Sequence, residues 1–277
     1  MPSVIAGLFE GTLRSALRAA LWLGLTGLLA ACGSVPHAAV TELAPGGTLR
    51  AAINFGNPIL ASQDATTSQA RGVSVDLARE LARRLGVPLE LVTVPSAGQS
   101  VEAIKAGKVD IAFVAIDPVR GADMLYSAPY VVIEGAYLVR DESPIRGNDQ
   151  VDRPGIRIAV GAGSAYDLFL KRELQAATLV RAPTSPTVVD MFMSQNLEVA
   201  AGVKQQLEAD ARRVNGLRLL DGRFMVINQA IATPRAREAG ARYLREFVEE
   251  MKASGFVAQA LARHRIEGAA VAAREPK

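Results

Sequence analysis

The sequence is poor in the residues that most enzyme centres require. Its 277 residues include only two histidines, one cysteine and 5% aromatic residues. A histidine metal site, a Ser-His-Asp triad and a Cys-x-x-Cys redox pair therefore all lack residues that they need. The net charge is only +3, from 31 basic and 28 acidic residues, and no stripe combines basic with aromatic residues. We therefore expect no metal, no cofactor and no nucleic-acid partner.

What the chain does contain is apolar sequence in alternating segments. The hydrophobic fraction is 49%, which favours a globular fold with a sizeable core over a disordered chain. Strand-like and helix-like segments alternate after residue 47, a pattern typical of α/β folds. We predict strands over Leu49–Asn54 and Leu89–Val94. We also predict a helix over Val75–Leu85, whose leucines recur every fourth residue before Gly86.

Serines and a proline predict where other helices begin. Ser100 is expected to cap a short helix, and Ser164 to cap a second one with Asp167 three residues later. Thr233-Pro234 is expected to open a long helix that runs through Lys252, because proline is tolerated at the first helical position. Ser254 is the expected cap of a last short helix.

The first 32 residues have the pattern of a secretory signal. Arg14 and Arg18 precede the apolar run Ala19–Leu29, which is shorter than the ~20 residues of a permanent membrane-spanning helix. The run ends in Leu29-Ala30-Ala31-Cys32, which resembles a bacterial lipobox, in which the cysteine is acylated and becomes the mature N-terminus. We therefore expect a periplasmic lipoprotein anchored to a membrane through Cys32. The alternative is a buried or free cysteine.

The remaining terminal segments are expected to lie outside the folded body. Residues 1–31 form the signal peptide in this interpretation. Residues 32–46 form a tether, because they mix small and polar residues without hydrophobic periodicity. Residues 267–277 are expected to form a disordered tail.

Three segments of the folded body resemble motifs of the bacterial extracellular solute-binding proteins of family 3, in the same order. They are GVSVDLARELARRLG at 72–86, VEAIKAGKVDIAFVAIDPVRGADMLYSAPY at 101–130 and IAVGAGSAYD at 158–167. The resemblance implies an α/β, two-lobed periplasmic-binding-protein type II fold with two crossing strands, expected near residues 136–140 and 227–233. Lobe 1 would comprise residues 47–139 and 233–266, and lobe 2 residues 140–232.

The same resemblance implies a function. The chain would be the periplasmic substrate-binding component of an ABC importer, a monomer that delivers a small carboxylate or amino-acid-like solute from its interlobe cleft to a permease. The alternative is an enzyme on the same fold, similar to the cyclohexadienyl dehydratases, with Glu134 as the general acid. A sensor or scaffold module is a third possibility, which no other segment of the sequence supports.

Arg120 is the first candidate for ligand binding. It aligns with the arginine that holds the ligand's α-carboxylate in amino-acid-binding relatives, and a guanidinium offers paired donors to a carboxylate. Ala115 and Asp117 precede it in the same loop and are further candidates. The alternative is a surface arginine that follows the turn at Asp117-Pro118.

Gly163, Ser164 and Ala165 form the second candidate group. A helix that begins here presents unpaired backbone N–H groups and the positive end of its dipole, a favourable site for an anion. Ser164 stands where relatives have a threonine that contacts the ligand carboxylate. The alternative is an ordinary helix cap.

Two positions depart from the family pattern. Asn57 stands where relatives have an aromatic residue that stacks on the ligand, and Phe55 is the candidate substitute. Gly202 and Val203 stand where relatives have an acid for the α-ammonium. Because a buried ammonium without a carboxylate partner is costly, either Glu134 takes that role or the ligand has no α-ammonium. A glutamate exposed at a strand edge is the alternative for Glu134.

Overall fold

The computed structural model describes residues 35–275, so that the signal segment and Cys32 lie outside the described residues. Helices and strands alternate along this part of the chain. In order they are α1 (His37–Leu43), β1 (Leu49–Asn54), β2 (Ser62–Gln63), β3 (Ala70–Arg71), α2 (Val73–Leu85), β4 (Leu89–Val94), α3 (Ala97–Lys105), β5 (Ile111–Ala115), β6 (Met124–Tyr126), β7 (Val131–Arg140), β8 (Arg157–Gly161), α4 (Ala165–Glu173), β9 (Thr178–Ala182), α5 (Val188–Ser194), β10 (Val199–Val203), α6 (Lys204–Arg213), β11 (Leu217–Leu219), β12 (Met225–Pro234), α7 (Glu238–Ala253), α8 (Phe256–Arg263) and β13 (Ala270–Val271).

The main sheet consists of two parallel blocks joined by an antiparallel pair. In the first block, β1 lies between β4 and β5 and is parallel to both. In the second block, β8 lies between β9 and β10, again in parallel. Parallel strands need crossover connections, which the intervening helices provide. Each block is therefore an α/β layer of its own.

The strands β7 and β12 connect the two blocks. They pair with each other from Met225 opposite Gly135 to Gln229 opposite Val131. β12 then continues along β5 in the first block, and β7 continues along β10 in the second block. The two crossing strands that the family resemblance implies are therefore confirmed, as is the two-lobed α/β fold.

The helix α2 shows how the sequence pattern sets the packing. Leu77, Leu81 and Leu85 all lie on its buried face, as their spacing predicts. The helix ends at Gly86, whose φ of 68° is the left-handed conformation that glycine adopts readily. The structure begins the helix at Val73, two residues before the predicted start.

Helices cover both faces of the second block. On one face, α5 and α6 contribute Phe192 and Leu207 to a buried cluster. On the other face, α4 contributes Tyr166 and Leu170. Because helices pack on both faces, β8 and β10 are buried almost throughout, whereas the edge strand β9 is buried only at Ala182.

The prediction of an unstructured tether over residues 32–46 is wrong from His37 onward. Residues His37–Leu43 form α1, whose Ala39 and Leu43 are fully buried. The helix packs against α7, where a Cβ on Gly240 would lie 2.9 Å from Leu43 Cδ2. Two apolar residues four positions apart are enough to bury one face of a short helix when a partner helix is present.

Several predicted helix starts are also wrong. Thr233 and Pro234 end β12, because Thr233 is buried there and its hydroxyl donates to the carbonyl of Asp110 at 3.0 Å. The helix α7 begins at Glu238. The cap of α3 is Ser96 and not Ser100, and α8 follows Gly255 with no side-chain cap.

The expected disorder of residues 267–277 is contradicted as far as Glu275. Ala270 and Val271 form β13, which pairs with β7. Ala272 is buried, and Lys252 Nζ donates to the carbonyl of Ala273 at 2.8 Å. The tail is therefore held by the sheet and by α7. Within residues 35–275 no helix combines the length and the apolarity needed to cross a membrane.

Candidate functional site

A small cavity of about 40 Å³ lies between the two parallel blocks. It is bounded by the carboxyl ends of parallel strands, where ligands of open α/β sheets bind. Its lining comes from both blocks and from the crossing strand β12: Asn54, Gly56, Asn57, Ala97, Val114, Ala115, Arg120, Ser164, Ala165, Tyr166, Ser185, Val203, Ile227 and Gln229. The predicted residues Arg120, Ser164, Ala165, Ala115 and Asn57 are thus brought together.

Arg120 lies at this cavity and is only 4% exposed. Its Nη1 donates to the carbonyl of Ala115 at 3.3 Å, and its Nη2 donates to the carbonyl of Gly163 at 2.6 Å. Burial lowers the pKa of the guanidinium below its usual value. In the part of the chain that the structure describes, Arg120 forms no ion pair. A buried cation here has backbone carbonyls as partners but no carboxylate.

Asp117 holds the loop that carries Arg120. One carboxylate oxygen accepts the backbone N–H of Val119 at 2.9 Å and that of Arg120 at 3.4 Å. The other oxygen accepts from Arg172 Nη1 of α4 at 2.9 Å, across the space between the blocks. Asp117 was expected to touch the ligand, but it does not line the cavity. Its contacts are those of a residue that positions Arg120.

The second predicted group lies at the first turn of α4. Ser164 Oγ accepts the backbone N–H of Asp167 at 3.0 Å, so Ser164 is the N-cap as the sequence predicts. The N–H groups at the start of a helix have no acceptor within the helix. Those of Ala165 and Tyr166 are therefore available at the cavity wall. Gly163 lies outside the lining but supplies the carbonyl that Arg120 contacts.

Neutral polar side chains complete the lining. Tyr166 donates its hydroxyl to Ser185 Oγ at 2.8 Å, and burial raises the pKa of Tyr166. Asn57 Oδ1 is buried and has no hydrogen-bond partner among the described residues. Sequence reasoning missed Asn54 and Ser185, although each follows or ends a parallel strand, a position that could have identified them.

Glu134 is not among the residues that line this cavity, so the geometry gives no support to its expected role beside the ligand. Its carboxylate accepts from Arg223 Nη1 at 2.5 Å and lies 3.5 Å from Lys204 Nζ. The hydrogen bond from Arg223 is the main reason why the pKa of Glu134 falls below its usual value. Phe55 is also absent from the lining, so the expected substitute for the missing aromatic residue does not lie at the cavity.

The acids nearest to the cavity already have cations of their own. Asp117 is paired with Arg172 at 2.9 Å, and Asp167 is paired with Arg181 at 2.9 Å. No aspartate or glutamate among residues 35–275 lines the cavity itself. The described residues also contain no cluster of three or more His, Cys, Asp or Glu side chains that could hold a metal ion.

The comparisons with known proteins agree with this geometry. The model of the bacterial extracellular solute-binding proteins, family 3, matches residues 49–265. The chain belongs to this family. The match covers the segment that holds both parallel blocks and every lining residue of the cavity.

Solved structures similar to this family member share its fold. The solute receptor for L-cysteine of Neisseria gonorrhoeae has a TM-score of 0.72 at 20% identity, over 83% of this chain and 94% of that chain. An ancestral amino acid-binding protein, described as a precursor of cyclohexadienyl dehydratase, has a TM-score of 0.69 at 21% identity, over 81% and 98%. At these identities the likeness shows the fold alone.

A curated relative is much longer than this chain. The membrane-bound lytic murein transglycosylase F of Aeromonas hydrophila subsp. hydrophila is 31% identical over 156 residues, which are 54% of this chain and 30% of that protein. The chain therefore spans less than a third of that relative. The family thus occurs in proteins named as enzymes as well as in proteins named as binding proteins.

Proposed function

We propose that this protein is the periplasmic substrate-binding component of an ABC importer and that it holds a small organic anion between its lobes. The single observation that carries the proposal is Arg120, a buried cation at the cavity with no carboxylate partner in the described range. Removing a charge from water costs free energy unless an opposite charge compensates for it. A ligand carboxylate would supply that charge.

The surroundings of Arg120 support the same ligand group. Its guanidinium can present paired donors to a carboxylate. The first N–H groups of α4 lie on the facing wall, together with the positive end of the helix dipole. Two independent sources of positive potential therefore meet at one small cavity.

Contacts across the cleft support binding by closure. The Arg120–Gly163 hydrogen bond and the Asp117–Arg172 ion pair both join the first block to the second. In this proposal lobe 1 comprises residues 47–139 and 233–266, and lobe 2 comprises residues 140–232. The packing of α7 against α1 and of α8 against α2 supports the return of the chain to lobe 1 and extends that lobe to α1.

The proposal includes no covalent chemistry. The alternative, an enzyme similar to cyclohexadienyl dehydratase, needs a general acid beside the substrate, and Glu134 was its candidate. Glu134 lies away from the cavity and is held ionised by Arg223 and Lys204. A carboxyl group with a lowered pKa is ionised at neutral pH and is therefore a poor proton donor. Incubation with prephenate tests the alternative, and we expect no formation of product.

A lipid anchor at Cys32 belongs to the same proposal. Its support is the lipobox-like sequence Leu29-Ala30-Ala31-Cys32 and the absence of any other cysteine in the chain. Mass spectrometry of the membrane-extracted protein should show loss of residues 1–31 and added acyl mass. An unprocessed Met1 terminus would contradict the anchor.

A thermal-shift screen of carboxylates, amino acids and polyamines tests the central function. A ligand that binds only the folded state raises the melting temperature. Arg120→Ala should abolish the shift caused by a carboxylate, because loss of a buried charge-assisted contact costs about 2–5 kcal/mol of binding free energy. The matched control is Arg212→Ala, which removes an exposed arginine and should leave the shift unchanged. Equal shifts in both variants would contradict the role of Arg120.

A further inference from the structure

The cavity has a positive charge in its lining and no negative charge among the described lining residues. Among the described residues that line it, Arg120 is the only charged one. The nearby acids form ion pairs with other residues. Asp117 pairs with Arg172, Asp167 with Arg181 and Glu134 with Arg223. Within residues 35–275 the cavity therefore offers compensation to an anion and none to a cation.

An amino-acid zwitterion fits this distribution badly. Its carboxylate would neutralise Arg120, but its ammonium would then lie in a confined space without an opposite charge. Burial of an unpaired ammonium is among the most costly events in protein energetics. To recruit Asp117 or Asp167 instead would break an ion pair that already exists.

A neutral acceptor lies where a second ligand group can reach it. Asn57 is one of the residues that line the cavity, and its Oδ1 is buried and has no hydrogen-bond partner among the described residues. A buried acceptor without a donor has lost its hydrogen bond to water and gained nothing in return. A hydroxyl can donate to this oxygen without bringing a charge into the cavity.

We infer that the cleft selects small hydroxycarboxylates, whose carboxylate binds Arg120 and the first N–H groups of α4 and whose hydroxyl donates to Asn57 Oδ1. This inference rests on the proposed function and specifies its substrate class. The cavity of about 40 Å³ favours a short carbon skeleton. Asn57 stands in the loop after β1, on the same side of the cleft as Arg120, so one wall carries both contacts.

The test is a matched series of ligands on one carbon skeleton. Propanoate, both enantiomers of lactate, and L-alanine differ only in the group at carbon 2, and the same series is repeated for the four-carbon and five-carbon skeletons. Isothermal titration of the purified full chain should give one skeleton whose hydroxy acid binds at least 10-fold tighter than the amino acid and tighter than the unsubstituted acid.

The three possible outcomes separate the two proposals. If the amino acid binds tighter than the hydroxy acid on every skeleton that binds, the hydroxycarboxylate inference is overturned while the solute-binding function stands. If unsubstituted acids bind as tightly as hydroxy acids, the role of Asn57 is overturned. If no carboxylate binds at all, the proposed function falls together with the inference.

A gain of charge at Asn57 provides a second readout. Asn57→Asp places a carboxylate beside the ligand's second group and should shift the preference at least 10-fold towards the amino acid. Asn57→Ala should reduce affinity for the hydroxy acid to that for the unsubstituted acid. Asn148→Asp is the matched control, because Asn148 Oδ1 is also buried without a partner but lies outside this cavity. An equal shift in Asn148→Asp would contradict the assignment.

Discussion

Two buried charges in this protein are treated in opposite ways. Asp110, directly before β5, has a fully buried side chain. It accepts hydrogen bonds from Arg50 Nε and Nη2, from the backbone N–H of Arg50 and from Arg237 Nη1. Arg120 is almost as deeply buried, at 4% exposure, but within residues 35–275 its guanidinium donates hydrogen bonds only to two backbone carbonyls. One charge is compensated within the fold, and the other is not.

The difference separates a structural charge from a functional one. Asp110 joins β1 and the start of α7 to β5, so its partners are supplied by the protein itself. Arg120 lies where both lobes meet. Asp117 favours its charged form from nearby, but no carboxylate of the described residues forms an ion pair with its guanidinium. A fold that retains an uncompensated buried charge has reduced stability at that place unless something else supplies the opposite charge. In our account a ligand carboxylate supplies it.

The largest expected effect is the loss of stability when Asp110, the structural charge, is replaced. Asp110→Asn leaves Arg50 and Arg237 without their shared carboxylate, and loss of one partner of a buried ion pair typically destabilises by about 3–5 kcal/mol. Urea unfolding at pH 7 measures the loss. The matched control is Asp221→Asn, at an exposed aspartate, which should change stability by less than about 0.5 kcal/mol. Similar losses in both variants would contradict the role assigned to Asp110.

The same carboxylate predicts a pH dependence. Burial raises the pKa of Asp110, but the hydrogen bonds from Arg50 and Arg237 outweigh it, so that the pKa in the folded state is lowered. An acid with a lowered folded pKa stabilises the protein above its unfolded pKa of about 3.9 and loses this effect as the pH falls towards the folded value. The stability difference between the wild type and Asp110→Asn should therefore be full at pH 7 and shrink below about pH 4. A difference that stays constant to pH 3 would contradict the sign of the shift.

A smaller effect is expected at the partner of Arg120. Gly163 has a φ of +66°, and a Cβ there would lie 3.3 Å from Gly98 Cα on the facing lobe. Gly163→Ala should therefore hinder the approach of the two walls and weaken ligand binding about tenfold, equivalent to about 1.4 kcal/mol. Gly216→Ala is the control, because its φ of +79° carries the same strain but its Cβ would meet nothing within 4 Å. The control should lower stability without lowering affinity, and an equal loss of affinity would refute the contact across the cleft.

The smallest effect is expected at Glu134. Its ion pairs with Arg223 and Lys204 lie away from the cavity and are partly exposed. Glu134→Gln should change stability by less than about 1 kcal/mol, as is usual for exposed ion pairs. It should leave carboxylate affinity within a factor of about three. If calorimetry showed a 10-fold or greater loss of carboxylate affinity, Glu134 would have to be assigned to the binding site.

Sequence patterns predict the parts of the fold that carry their own periodicity. β1 and β4 are found at their predicted bounds, and the leucines of α2 are buried as expected. Short elements were missed because packing partners distant in the sequence make them. Leu43 in α1 is buried by α7, and β13 exists because β7 offers it a free edge. Local periodicity carries no information about such partners.

The residues of the site also differ in how far the sequence predicts them. Arg120 and Ser164 occupy motif positions, and the structure places both at the cavity. The ion pairs of Glu134 with Arg223 and Lys204 could not be predicted from its sequence position beside a crossing strand. The importance of Asn57 could not be read from the sequence either. Its oxygen is buried and unpaired among the described residues, at a cavity that residues distant in the sequence, such as Tyr166 and Ser185, also line.

The most direct test of the account is the unfolding free energy of Arg120→Met, measured by urea titration without and with a carboxylate that stabilises the wild type. Methionine keeps a long side chain and removes the charge. Without the carboxylate we expect a change of less than about 1.5 kcal/mol, because the lost contacts to two carbonyls are offset by the relief of an uncompensated buried charge. With the carboxylate, the stabilisation seen in the wild type should disappear. A loss of about 3–5 kcal/mol without any carboxylate, matching Asp110→Asn, would show that Arg120 is a structural charge and would contradict the account.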